Sequence, residues 1–198
     1  MDSIEKLQTL FERFPGIGPR QATRFVQFLL RSSPSFKKEL SEEIQKLGNS
    51  VKQCNNCRRF FAGSGDKCSI CKSTGRNSSL LLIVASDADV ETIERSQNYN
   101  GKYFVLGGLA TLTDSTTLPN EKHLFSLLYD NGTIEEIIIA LPANPEGDHT
   151  ESYLRSLISS SKKKIGAKIS TLGRGLSTGS EIEYADAETI KNALENRH

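Results

Sequence analysis

The sequence has no long apolar run. Its longest apolar stretches, Leu80–Ala85 and Ile137–Pro142, have the length of strands and fall well short of the roughly 20 residues that a membrane-spanning helix needs. The N-terminus reads Met-Asp-Ser-Ile-Glu-Lys, with an acidic residue at once and no apolar signal core. We therefore expect a cytoplasmic protein that does not associate with a membrane.

Common catalytic signatures are absent as well. The sequence contains no GxxxxGK[ST] motif, so we expect no ATP site, and we interpret Ile182–Asp186 as a structural or subunit-contact segment. The three histidines, His123, His149 and His198, have no serine or cysteine partner in a recognisable motif. We interpret them as surface residues and not as catalytic ones.

The charge is unevenly distributed along the chain. The 198 residues carry a net charge of +1, but residues 1–79 hold 14 Lys and Arg against 7 Asp and Glu, a balance of +7. Residues 80–198 hold the remaining 11 basic and 17 acidic side chains, a balance of −6. A basic front half joined to an acidic back half predicts a polyanionic partner for the front half. The alternative is chance patterning of a solvated surface.

Composition divides the chain into three segments, and the third is assigned to a domain and a C-terminal segment. In residues 1–50 the apolar residues recur at three- and four-residue steps, which predicts helices, the third of which should begin after an N-cap at Ser41. Residues 51–78 are polar, contain the cysteines and are rich in turn formers. We assign 79–175 to an α/β domain and 176–198 to a C-terminal segment that makes a subunit contact.

The back half of the sequence alternates between short apolar strands and helical stretches. The predicted strands are Leu80–Ala85, Tyr103–Leu106, Ile137–Ala140 and Lys168–Leu172, and the predicted helices are Asp89–Arg95, Asn120–Tyr129 and Thr150–Lys163. Apolar strands separated by helices are typical of a mostly parallel sheet that is covered on both faces. The predicted fold class is therefore α/β, within a chain that is α+β overall.

A glycine-containing turn separates two of the amphipathic helical stretches. Gly16 and Gly18 allow a tight turn and close approach of the backbone to a ligand, and Pro19 suits the first turn of the next helix. The free N–H groups at that helix start can bind phosphate. Arg20 and Arg24 share a helix face, so both can bind neighbouring phosphates. The pattern resembles the helix-hairpin-helix motif of repair proteins, which holds the DNA backbone without reading bases; the alternative is an ordinary turn between helices.

The four cysteines form two pairs with the spacing of metal ligands. Two residues separate Cys54 from Cys57 and Cys68 from Cys71, and ten residues lie between the pairs. Two such pairs supply four thiolates for a tetrahedral zinc site, and metal binding would provide folding free energy that this polar segment lacks. Because the protein fills all four positions, we expect the zinc to be structural. The alternatives are disulfides, which a cytoplasmic setting disfavours, and a redox CxxC pair.

The order of these segments resembles the RecR family of recombination and repair proteins over essentially the whole chain. The α/β part looks like a Toprim domain, the module shared by topoisomerases and primases. The matching stretches are Leu81–Val90, Tyr103–Gly108, Glu146–Asp148, Gly173–Leu176 and Glu183–Asp186, with Thr189. The resemblance implies a DNA-binding clamp that is not an enzyme.

The resemblance also identifies residues that this chain lacks. Toprim enzymes bind Mg²⁺ through a glutamate after the first strand and an Asp-x-Asp pair after a later strand. Ala85 replaces the glutamate, which many RecR proteins keep, and Pro142 and Asn144 occupy the Asp-x-Asp positions. The acidic residues that remain nearby are Asp87, Asp89, Glu146 and Asp148. They could bind a metal ion weakly or favour helix starts, and we expect no metal-dependent DNA cleavage.

The function that the resemblance implies is loading of a recombinase at single-stranded gaps in the bacterial cytoplasm, at the nucleoid. A RecR-like protein would form a ring of two or four subunits on DNA and act with the partners RecO and RecF. The glycine turn and its two arginines would contact DNA, while Glu146 and Asp148 would help to form the partner interface. The alternatives are a Toprim nuclease or primase-like enzyme and a scaffold that binds only proteins.

Overall fold

The computed structural model describes residues 1–111, 118–130, 133–160, 166–176 and 179–195. The chain divides into two units, Met1–Val51 and Lys52–His198. The helices of the first unit are α1 (Ser3–Phe11), α2 (Pro19–Arg31) and α3 (Pro34–Ser50). None of the helices in the described ranges combines the length and apolarity that a membrane crossing requires.

The third helix begins earlier than the sequence pattern predicts. The predicted N-cap at Ser41 is wrong, because α3 begins at Pro34 after an N-cap at Ser33. The Ser33 hydroxyl accepts a hydrogen bond from the backbone N–H of Phe36 at 3.2 Å, and a proline suits the first helical position. Ser41 lies inside the helix instead, where its hydroxyl donates to the carbonyl oxygen of Lys38 at 2.8 Å.

The rest of the chain alternates strands and helices. The strands are β1 (Val51–Gln53), β2 (Phe60–Ala62), β3 (Asn77–Val84), β4 (Gly101–Val105), β5 (Glu136–Ala140) and β6 (Lys168–Thr171). The helices are α4 (Ser69–Lys72), α5 (Asp87–Ser96), α6 (Glu121–Asp130), α7 (Pro145–Ser160) and α8 (Ala187–Glu195), with a 3₁₀ turn at Ile182–Tyr184. All four predicted strands of the α/β part are therefore present.

Strands β3 to β6 form a parallel sheet in the order β4-β3-β5-β6. Ile83 in β3 lies opposite Phe104 in β4 and Ile139 in β5, so the most apolar strand occupies a central position. Every pairing within this described sheet is parallel. The predicted mixed α/β architecture with a mostly parallel sheet is confirmed.

A second boundary error concerns α7. The predicted helix Thr150–Lys163 begins five residues late, because α7 begins at Pro145, where proline is tolerated at a helix start. The side-chain oxygen of Asn144 accepts a hydrogen bond from the Gly147 N–H at 2.8 Å and satisfies one of the unpaired donors of the first turn. The predicted end of this helix, at 161–163, lies outside the described residues.

The two faces of the sheet are covered differently. One face packs Leu81 and Ile83 against α6 and α7, whose buried side chains are Leu124, Leu128, Leu154 and Ile158. The other face packs Leu82 and Val84 against Val90 of α5 and against the cysteine-containing segment. We call residues 52–76 the cysteine ribbon. Helix α5 covers one part of this second face, and the cysteine ribbon covers another part.

An ion pair joins the cysteine ribbon to α5 beside β4. The Arg76 guanidinium donates two hydrogen bonds to the Glu94 carboxylate, one of them at 2.8 Å, and the Tyr103 hydroxyl donates to the same carboxylate at 2.6 Å. These side chains are largely buried: Arg76 is 17% exposed and Glu94 is 27% exposed. The hydrogen bonds from Arg76 hold the pKa of Glu94 below its ordinary value.

Replacing Glu94 with glutamine should lower the free energy of unfolding near neutral pH by about 2 kcal/mol, because the charge-assisted hydrogen bonds are lost. The folded-state pKa of Glu94 lies below its ordinary value of 4.5, so its carboxylate stabilises the fold above that pH. This contribution is lost as the pH falls through the folded-state pKa. The unfolding free energy of Glu94→Gln, measured in urea, should therefore decline less steeply with acidification than that of the unmodified chain.

A suitable control is Glu42→Gln, which removes an exposed ion pair to Lys38 on α3. Exposed pairs of this kind contribute little, so the control should match the unmodified chain in both stability and pH dependence. Equal pH dependence in all three proteins would contradict a stabilising role for the Glu94 carboxylate.

Candidate metal centre and nucleic-acid surface

The four cysteine sulfurs converge on one point. The Sγ atoms of Cys54, Cys57, Cys68 and Cys71 all lie within 4.8 Å of one another, and those of Cys57 and Cys68 are 3.6 Å apart. Tetrahedral coordination with Zn–S bonds of about 2.3 Å requires sulfur separations of about 3.8 Å. A disulfide requires about 2.05 Å, and all four cysteines are free thiols. The geometry therefore fits a metal ion and excludes disulfides.

Local backbone structure brings the two pairs together. Cys54 and Cys57 lie in the turn between β1 and β2, which closes through hydrogen bonds from Cys54 N to Arg59 O at 2.8 Å and from Arg58 N to Cys54 O at 3.0 Å. Arg58 adopts a left-handed conformation with φ of +62°. Cys68 precedes α4, and its N–H donates to the Cys54 sulfur at 3.3 Å. This bond links the second pair to the first.

The electrostatics of the cluster favour a cation. A hydrogen bond from Cys57 lowers the pKa of the Cys68 thiol, and the same bond raises the pKa of Cys57. Four thiolates this close repel one another unless a cation neutralises them. Since four protein ligands leave no open position, a tetrahedral metal here would stabilise the fold and bind no substrate.

The sequence analysis missed the polar contacts that attach the cysteine ribbon to the sheet. The Lys102 ammonium group of β4 donates to the carbonyl oxygens of Ile70, Cys71 and Ser73 at 3.0, 3.4 and 2.8 Å. The Phe60 N–H of β2 donates to the Asp87 carboxylate at 2.8 Å. No sequence pattern reveals contacts between residues about thirty positions apart.

The glycine turn and its two arginines are accessible, as a ligand site requires. Gly16 has φ of +75°, which favours glycine, whereas Gly18 has φ of −89°, which any residue adopts. A Cβ atom at either position would meet no atom of the protein within 4 Å. Gly18 is the N-cap of α2 and provides no side-chain cap, and Arg20 and Arg24 are exposed on that helix. All four predicted residues therefore lie at one helix start.

The end of the sheet where Toprim enzymes hold Mg²⁺ does not fit a metal ion. Ala85, Pro142 and Asn144 offer no carboxylate, and the Asn144 side-chain oxygen is engaged by the Gly147 N–H. A side chain at position 147 would overlap the carbonyl oxygen of Pro142, so the turn before α7 is tightly closed. Among the residues that the structure describes, the four cysteines form the only cluster with metal-binding geometry.

The remaining acidic residues near this end have partners within the chain, apart from Glu146. Asp89 accepts hydrogen bonds from the Ser86 N–H and hydroxyl, both at 2.8 Å. Asp148 forms an ion pair of 2.6 Å with Arg174, while Glu146 is exposed. Asp148 is therefore less available to a partner protein than Glu146.

The predicted surface position of the histidines is only partly correct. His123 is exposed, but His149 is half-buried in α7, and its buried Nε2 atom has no hydrogen-bond partner among the residues that the structure describes. His198 lies outside the described residues.

Comparison with known proteins agrees with this arrangement. The Toprim domain family model matches residues 79–173, and the model of the RecR C-terminal region matches residues 175–198. Recombination protein RecR of Prochlorococcus marinus strain MIT 9215 is 38% identical over 196 residues, which cover 98% of this chain and 94% of the relative. The chain belongs to the RecR family. A second RecR, from strain MIT 9303, is 38% identical over 189 residues, covering 94% of this chain and 96% of the relative.

Membership of the RecR family agrees with the four-cysteine cluster and the parallel sheet described above. The α/β part of the chain is a Toprim domain, as its resemblance predicted.

Replacing Cys57 with serine should abolish tight binding of one metal ion per chain and lower the unfolding temperature by roughly 10 °C, since the loss of a structural metal removes several kcal/mol. Metal content after dialysis and calorimetry measure the two effects. Co²⁺ added to the metal-free, unsubstituted chain should produce the strong absorption of thiolate-to-metal charge transfer. The control is Ser69→Ala, which alters an exposed residue next to a ligand; metal loss in this control as well would contradict the assignment.

Proposed function

We propose that this chain is a non-enzymatic DNA-binding clamp of recombinational repair. It acts with RecO and RecF to load the recombinase at single-stranded gaps, in the cytoplasm at the nucleoid. The single observation that carries the proposal is the open glycine turn before α2, with two exposed arginines beside it. The names of its relatives, which are recombination proteins, support the same role.

Gly18 supports DNA binding because the fold itself does not require a glycine there. Its φ of −89° suits any residue, and a Cβ atom would have space on all sides. Glycine costs more backbone entropy on folding than other residues do. A glycine at an open helix start instead allows a phosphate to approach the backbone closely. Among described residues, the N–H groups of Gly18 and Arg20 have no hydrogen-bond partner and are available to it.

Arg20 and Arg24 supply the charge for that contact. They lie one helical turn apart on α2 and are exposed, so both guanidinium groups can bind neighbouring phosphates. Contacts of this kind are independent of base sequence and weaken as salt rises. This suits a clamp that must act at any gap.

The metal that we propose at the four cysteines is zinc. Four thiolates with tetrahedral spacing favour zinc over the oxygen-preferring Mg²⁺ and Ca²⁺. Zinc would neutralise the thiolates and keep the cysteine ribbon folded. The absence of carboxylates at Ala85, Pro142 and Asn144 supports a protein that is not a nuclease.

Glu146 and Asp148 remain our proposal for the interface with RecO. They lie in the first turn of α7, where acidic side chains are stabilised by the helix dipole. The exposed Glu146 would make the direct contact, and Asp148 would contribute through its ion pair with Arg174.

Self-association into a ring is supported by two separate apolar surfaces. In the first unit a groove of about 860 Å³ is lined by side chains that include Leu7, Leu10, Phe14, Leu30, Leu40 and Ile44. In the C-terminal segment Ile182 and Tyr184 are 68% and 80% exposed. Exposed apolar surface of this extent marks an interaction site. A chain with two different self-contacts can close into a ring.

The double substitution Arg20→Ala/Arg24→Ala should weaken DNA binding and reduce the slope of log affinity against log salt by about 2, because two phosphate contacts are lost. Fluorescence anisotropy of labelled duplex and gapped DNA over a range of salt measures this effect. The matched control, Lys38→Ala/Lys46→Ala, removes the same charge from exposed positions of α3 and should change the slope far less.

A second variant tests the backbone part of the same site. Gly18→Thr preserves the helix start, since threonine caps helices about as well as glycine, but places a side chain where phosphate should approach. DNA affinity should fall with no loss of thermal stability, whereas Gly48→Thr, also in open space, should leave affinity unchanged. The opposite outcome would be equal DNA affinity for the arginine and the lysine double variants, together with unchanged DNA affinity for Gly18→Thr. The clamp would then be replaced by the alternative of a scaffold that binds only proteins.

Placing a charge in the groove should reduce the number of subunits in the assembly. Ile44→Asp should lower the molar mass measured by light scattering, because a buried unpaired carboxylate is costly. Gln45→Asp, the neighbouring exposed position on α3, is the control and should keep the mass of the unmodified protein. An unchanged mass for Ile44→Asp would remove this groove from the ring interface.

A further inference from the structure

We propose that the metal-loaded cysteine ribbon covers the β4 edge of the Toprim sheet, so that metal loss opens this edge to strand pairing with a second copy of the chain. The proposal rests on metal binding at the four cysteines. It assigns the site a role in preventing association at the sheet edge, in addition to holding the ribbon together.

Strand β4 needs protection because it is an edge strand of the described sheet. An edge strand presents unpaired N–H and C=O groups, which can pair with a strand of another molecule. Parallel sheets are normally buried, and Tyr103 and Val105 of β4 are each only 2% exposed. The opposite edge strand, β6, is only four residues long and begins with the exposed Lys168. Its short length and this charged side chain both limit pairing with a strand of another molecule.

The outward polar groups of Val105 in β4 are occupied by the cysteine ribbon and by a group attached to it. The Val105 N–H donates to the carbonyl oxygen of Cys57 at 2.8 Å, so one metal-ligating residue binds the strand edge directly. The Val105 carbonyl oxygen accepts from the side chain of Asn120 at 3.0 Å. Asn120 is held in turn by Arg58, whose Nε donates to its side-chain oxygen at 3.3 Å. A strand of another chain cannot reach these groups while the ribbon is in place.

Lys102 anchors the ribbon from β4 itself. Its ammonium group donates to three carbonyl oxygens around α4, in the segment that contains Cys71. These carbonyls converge on Lys102 only while α4 keeps its conformation, which depends on the cysteine cluster. The ribbon lacks an apolar core of its own, so loss of the metal should disorder it and release Lys102 and Val105 together.

The decisive experiment measures hydrogen exchange of the full chain before and after a chelator removes the metal, with metal content determined in parallel. The outward-facing amide of Val105 should exchange at least about tenfold faster, while those of Glu136–Ala140 in the central β5 keep their protection. Light scattering should then show concentration-dependent association. Unchanged protection of β4 after the metal has left would overturn the proposal, and so would equal loss in both strands, which would indicate global unfolding.

A substitution that leaves all four cysteines intact distinguishes the cover of the β4 edge from metal binding. Lys102→Met removes the three hydrogen bonds and retains the length of the side chain, so the chain should keep its metal while β4 exchanges about tenfold faster. Lys168→Met on β6 is the control and should leave β4 unchanged. Normal exchange in Lys102→Met would refute the edge cover even if the metal is present. If the purified chain holds no metal and its β4 amides are nevertheless protected, both metal binding at the four cysteines and the cover of the β4 edge are refuted.

Discussion

The second unit of this protein depends on the packing of the cysteine pairs against one face of the Toprim sheet. Cys54, Cys57 and Cys68 are buried in the same cluster as Leu82 and Val84, so three of the proposed metal ligands are also core side chains. A polar ribbon cannot bury enough apolar surface to order itself. Convergence of four sulfurs on a cation would supply the missing free energy, and the ordered ribbon covers apolar strands that α5 leaves uncovered.

Local patterns in the sequence predicted what local physics determines. The CxxC spacing places two sulfurs on one turn, and apolar runs such as Leu80–Ala85 form strands wherever they are buried on both faces. Contacts between distant positions were not predictable: Arg58 reaches Asn120, 62 positions away, and no periodicity links them. The errors at helix starts have a simpler cause. Pro34 and Pro145 mark the first turns of α3 and α7, and the apolar periodicity gave them too little weight.

The Toprim end of the sheet shows how a catalytic geometry can be converted into a structural one. Asn144, at an Asp-x-Asp position of the enzymes, accepts a hydrogen bond from the Gly147 N–H and so stabilises the start of α7. Asp148 forms an ion pair with Arg174 near the C-terminal segment. The Asn144 side chain is thus engaged with the protein's own backbone.

Two glycines of this chain differ in whether the fold requires them. Gly147 is required by the fold, since any side chain there would overlap the carbonyl oxygen of Pro142. Gly18 has an ordinary backbone conformation and open space around it, so the fold gains nothing from the missing side chain. Its entropic cost is not offset by any contact of the fold, which is why we propose that a phosphate approaches the backbone at the start of α2.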